Sequence, residues 1–114
     1  MSQFIECMDL YKSEMARLEI AYDEALLEKV AKGLGPSIYN ADSSLVSSSD
    51  STELQTVNDN YLVKKLGLED GPANMDAINE VVGILGSGNR TKYRAIFYYL
   101  LCVKFGKEGV YAGE

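Results

Sequence analysis

The sequence predicts an all-α fold, a single bundle of about five helices with the fifth in the centre, and three observations carry that prediction. Apolar residues near the N-terminus recur at alternating spacings of four and three. Among the glycines and prolines, those at 33, 35, 36, 67, 71, 72, 86 and 106 cut the rest of the chain into helix-sized pieces. The stretch 95–103 is apolar or aromatic on every side, as suits a helix surrounded by others. With 114 residues, 46% hydrophobic and 25% charged, the chain has the composition of an ordinary globular domain with one core. It reads as a single domain, 1–114.

Taking the elements in order, Phe4, Met8, Tyr11, Met15, Leu18 and Tyr22 form a seam on one face of a first helix, with Ser2 as its cap. The seam lasts under three heptads, so packing inside a bundle is preferred, with a dimer helix as the alternative. On that alternative Phe4, Met8, Tyr11, Met15 and Leu18 would be interface residues. No glycine or proline interrupts residues 3–32, yet Asp23 is suited to cap a second helix carrying Leu26, Leu27 and Val30, and a break there is expected. Gly33, Gly35 and Pro36 end it.

Six of the eleven residues 42–52 are serine, which predicts a loop, because serine side chains compete for backbone hydrogen bonds. Asp50 followed by Glu53 resembles a capping box and opens a third helix with Leu54, Val57, Tyr61 and Leu62 inward. Gly71 and Pro72 open a fourth, whose inner face is Met75, Ile78, Val81, Val82 and Leu85. Asn89 is expected to cap the fifth, Gly106 to end it, and 107–114 to form a short tail whose Val110 and Tyr111 dock on the core.

Net charge is −6, against the positive footprint that nucleic acid or an anionic membrane surface demands. The charge is unevenly placed: residues 1–80 hold 15 acidic and 6 basic residues, a net −9, while 81–114 hold 2 acidic and 5 basic, a net +3. Arg90, Lys92 and Arg94 fall in the expected first turns of the fifth helix, where the macrodipole disfavours cations, so something must compensate them. Three readings stand in this order: acids of the same chain, acids of a second copy, and a bound phosphate or carboxylate held by Asn89, Arg90, Lys92, Tyr93 and Arg94 with Tyr39.

The stretch GSGNRTKYR lacks the ending of a nucleotide-binding P-loop and no strand precedes it, and KGLGPSIYN follows a helix where such loops follow a strand. Tyr93, Phe97, Tyr98 and Tyr99 beside the bases resemble a single-strand stacking platform, but their helical phase sends most of the rings to the core. Histidine is absent, which removes the usual nucleophile pairs and the commonest general base. Asp76 with Glu80, and Asp23, Glu24 and Glu28, read as solvated helix faces in place of metal ligands. No catalytic residue, metal or cofactor is assigned.

Cys7 and Cys102 show no metal-type spacing and are expected as free, partly buried thiols. The N-terminal residues have no basic leader, and the longest apolar run is far short of the ~20 residues of a membrane span, so a cytoplasmic protein is expected.

The strings KGLGPSIYNAD at 32–42, NYLVKKLGL at 60–68 and NRTKYRAIFYYLL at 89–101, with FGKEGVY at 105–111, resemble a small bacterial family built on a domain of unknown function. The resemblance covers nearly the whole chain and implies no activity, cofactor or catalytic residue. Residue chemistry therefore decides the reading: a non-catalytic interaction module that associates with itself, with small-anion binding at the start of the fifth helix as the alternative.

Overall fold

Each helix begins and ends where local chemistry dictates, and the exceptions are informative. The computed structural model describes residues 3–39, 44–47, 50–86, 88 and 92–111, so Ser2, Asn89 and Arg90 and parts of the serine-rich loop and of the tail lie outside the described residues. Helix α1 spans Gln3–Arg17 and α2 spans Glu24–Gly33, a break as the Asp23 cap predicted. The Asp23 carboxylate accepts from the backbone N–H groups of Ala25 and Leu26, and its own N–H donates to the Tyr99 hydroxyl at 2.8 Å. A side chain 76 residues away thus fixes where α2 starts.

What stops α1 is not a glycine. Glu19 takes a left-handed φ of 59°, while its N–H reaches the Ala16 carbonyl and that of Ile20 reaches the Met15 carbonyl. These are the two bonds of a Schellman ending, made here with a residue that carries a Cβ. At the end of α5, Gly106 and Lys107 make the same two bonds, to Val103 and Cys102, with glycine at the left-handed position (φ 64°).

Helix α3 (Ser51–Val57) is capped by the Asp50 carboxylate, which accepts from Thr52 and Glu53 N–H. The reciprocal half of the predicted capping box is absent: the Asp50 N–H donates to the Ser47 carbonyl, and Glu53 turns its carboxylate to Arg94. The helix continues as a π-turn over Asn58–Val63, with Leu66 N–H bonded five residues back to Tyr61. The wider turn keeps Tyr61, Leu62 and Leu66 all buried. Asn58 is buried as well; its amide donates to Asp59 and Asp70 and accepts from Asn74 at the start of α4, which also donates to the Glu69 carbonyl, a network that ties the π-turn to α4.

Helix α4 (Pro72–Leu85) opens with Gly71 and Pro72 as predicted and buries Ile78, Val81 and Leu85, with Met75 and Val82 half-buried. Helix α5 (Arg94–Lys104) packs against α1, α2 and α4 and buries seven of its eleven residues, including Ile96, Phe97, Tyr98, Tyr99 and Leu101. It is the central helix.

The start of α5 corrects the sequence reading. Its N-cap position is Tyr93, whose side chain makes no capping hydrogen bond, while the expected cap, Asn89, lies outside the described residues. Leu45 and Tyr93 pair as an isolated antiparallel bridge, with Val46 N–H on the Lys92 carbonyl and Arg94 N–H on the Ser44 carbonyl, both at 2.8 Å. Backbone groups held in an extended ladder cannot also serve a helix, so α5 begins one residue past the bridge. After α5 a 3₁₀ turn, Glu108–Tyr111, brings Tyr111 back into the core.

Candidate functional site

The bridge puts Lys92 and Tyr93 ahead of α5 and makes Arg94 its first residue. Among the described residues the Arg94 guanidinium meets Glu53 at 2.5 Å, the Tyr98 hydroxyl at 3.1 Å and the Leu45 carbonyl at 3.3 Å. Burial works against its charge, but Tyr98 and Glu53 more than offset this and raise its pKa. The compensation of Arg94 is therefore an acid of the same chain, and the arginine clamps the 44–46 segment to α3 and α5. Lys92 is buried, and burial lowers its pKa.

Tyr39 and Tyr93, both predicted as site residues, do share a neighbourhood, around Tyr11. The Tyr93 ring meets Tyr11 edge-on at 5.3 Å, and Tyr39, exposed on the 3₁₀ turn Gly35–Tyr39, is near enough to Tyr11 to act on its ionisation. Cys7 completes the group, with its thiol toward the Ile38 carbonyl and in hydrogen-bonding contact with Tyr11. Burial raises the Tyr11 pKa well above the usual tyrosine range and that of Cys7 above its ordinary value.

The seam on α1 faces inward. Met8, Tyr11 and Met15 are core, with Met15 0% exposed, and Phe4 and Leu18 are half-buried against it. The acids read as solvated faces are in part ion-paired: Lys12 with Glu24 at 2.9 Å, Lys32 with Glu28 at 3.0 Å, and Glu80 with Lys104 between α4 and α5. Among the described residues no three histidine, cysteine or acidic side chains converge as metal ligands.

A second cluster escaped the sequence reading. Tyr61 on the π-turn stacks on Tyr98 of α5 with ring centroids 4.0 Å apart, and its hydroxyl pairs with that of Tyr111 at 2.9 Å. Cys102 lies in hydrogen-bonding contact with Tyr61; burial, the larger influence, pushes its thiol up to about 11. Burial likewise raises Tyr98, and Tyr61 far above the tyrosine range. Beside these rings a cleft of about 280 Å³ opens between the end of α2, the π-turn and the tail, with Lys65 holding its ammonium 4.9 Å from the Tyr111 ring centre. A larger depression, about 440 Å³, lies over the outer face of α2, but the described residues along it belong to that one helix. Helical spacing showed Tyr61 facing inward; it held no signal that Tyr98 and Tyr111 would meet it there.

Fold and site together define a small helical domain organised round one buried helix, with an internal arginine clamp and a tyrosine-lined cleft. The chain belongs to the family of proteins of unknown function DUF2853, whose model matches residues 10–109. Among curated proteins none matches it. No helix among the described residues is long and apolar enough to cross a membrane.

Proposed function

We propose that this chain is a non-catalytic interaction module that associates with itself through the outer face of α4 and α5. The observation that carries the reading is the exposure of Ile84 (52%) and Val103 (42%) on the two helices joined by the Glu80–Lys104 ion pair. Ile84 lies one turn beyond Glu80 and Val103 next to Lys104, and half-buried Leu100, one turn before Lys104, extends the apolar surface. Apolar patches rimmed by charge mark association surfaces, whereas isolated apolar residues need no explanation. With Met8, Tyr11 and Met15 turned into the core, the predicted seam is occupied within the protomer, and the α4–α5 face is our candidate in its place.

The non-catalytic part is supported by the two thiols, whose raised pKa values keep them protonated and poorly nucleophilic near neutral pH. Both are free, as a reducing compartment would keep them, which supports a cytoplasmic location. Small-anion binding at the start of α5 is the weaker reading, because Arg94 already gives its guanidinium to Glu53 and Tyr98.

Sedimentation equilibrium tests the proposal. The wild-type chain is expected to dimerise with rising concentration. An Ile84→Glu, Val103→Glu double variant should remain monomeric and folded, while Met15→Glu should lose the fold, since an unpaired carboxylate in the core costs several kcal/mol. A wild-type chain that stays monomeric throughout the concentration range would remove the self-association reading.

A further inference from the structure

We propose that two copies of this chain meet about a two-fold axis that lays the acidic helix α4 of each copy over the basic end of α5 of the other, so that the charge pattern of this face decides which chains pair. The inference rests on the self-association reading and adds the register and the specificity of the contact. The charged residues of α4 are acids alone, Asp76 and Glu80, both exposed. Those of α5 are bases alone: Arg94, spent on Glu53 at its start, and Lys104 at the face, with Lys107 just past the Gly106 stop. The next acid, Glu108, lines a depression beside Asp23 and Lys29 at α2. One side of the face is therefore negative and the other positive, with exposed Ile84 on the first and Val103 on the second.

Such a surface is its own complement. In an isologous contact the same patch serves both copies, so residues meet in reciprocal pairs. A two-fold axis running along the line between α4 and α5 brings Glu80 of each copy to Lys104 of the other, and the ion pair within a protomer becomes one half of a four-charge ring. An axis running across the two helices sets α4 on α4 instead, acid against acid, which is repulsive. Gly83 gives independent support. It is exposed, three residues past Glu80 and next to Ile84, hence on the same face. Its φ is not left-handed, and a Cβ there would meet nothing within 4 Å among the described residues, so neither backbone nor protomer packing calls for the poorest helix former after proline. A bare backbone at this point admits the close approach of another helix.

Sedimentation equilibrium of charge variants tests the arrangement, and both positions are exposed, so the fold survives each change. Glu80→Lys alone and Lys104→Glu alone each set like charges together twice, and should weaken the dimer about tenfold or more. The double variant Glu80→Lys, Lys104→Glu restores opposite signs and should dimerise to within about threefold of wild type. It should not exchange with tagged wild-type chains, because a mixed dimer sets lysine on lysine and glutamate on glutamate. Raising salt from ~0.05 M to ~0.5 M should loosen the wild-type dimer. Single variants that dimerise like wild type, a dimer tightened by salt, or a double variant that pairs preferentially with wild type would each overturn the inference and leave self-association standing. So would a dimer lost in Ile84→Glu, Val103→Glu but indifferent to charge reversal. A wild-type chain that stays monomeric overturns this inference and the self-association reading together.

Discussion

Two cations show how surroundings, more than charge, determine what a basic residue does here. Arg94 stands at the start of α5, where an acid of the same chain is the first expected partner, and it is partly buried and held by Glu53, Tyr98 and Leu45. Lys65 follows the π-turn at a position that drew no notice, and it faces an open cleft across the Tyr111 ring. The first cation is part of the scaffold. The second lies over an aromatic ring at the edge of a cleft. Guanidinium suits the first role because its planar fork meets several acceptors at once, and a single flexible ammonium suits the second.

The sharpest way to break this contrast is to remove each cation and compare stabilities. Arg94→Ala takes away three hydrogen bonds and leaves Glu53 without its partner, and should cost about 3 kcal/mol, read as a melting temperature lower by roughly 10 °C. A loss under about 1 kcal/mol would reduce the clamp to an ordinary surface ion pair.

Alkaline titration probes the core beneath the cleft. The Cys102 pKa is raised from 9.0 to about 11 in the folded protein, so between these values the folded state holds a proton that the unfolded state has released. Stability from this thiol is complete below pH 9 and falls as pH rises through 11, by about 2 kcal/mol at pH 11 on the linkage relation. Tyr61 and Tyr98, also raised, act in the same direction. Thermal melts should be level below pH 9 and decline above it, with Cys102→Ala flattening part of the decline. A melting temperature level to pH 11 would mean the thiol is hydrated.

The smallest effect belongs to Lys65. Its side chain is half-exposed and its ammonium stands over the Tyr111 ring, so Lys65→Gln should cost about 0.5–1 kcal/mol in a urea melt. A loss comparable to that of Arg94→Ala would place both cations in the scaffold and end the contrast.

The sequence by itself determined what depends on residues within a turn of one another. Asp23 and Asp50 as caps, Gly71–Pro72 as a helix start, Gly106 as a stop and the inner faces of α1 and α4 follow from local hydrogen bonds and from the 3.6-residue period. The central place of α5 was legible too, because a helix apolar on every side must be enclosed. Tertiary structure decided the rest. The start of α5 is set by an extended pairing with Leu45, the fate of Arg94 by Glu53 41 residues away, and the tyrosine cluster by a hydroxyl pair 50 residues apart. Even the glycine-free end of α1 at Glu19 goes with half-buried Ile20 packing back on the core. Spacing along a chain reports which face a side chain occupies, but which distant side chain meets it there depends on how all the helices pack together.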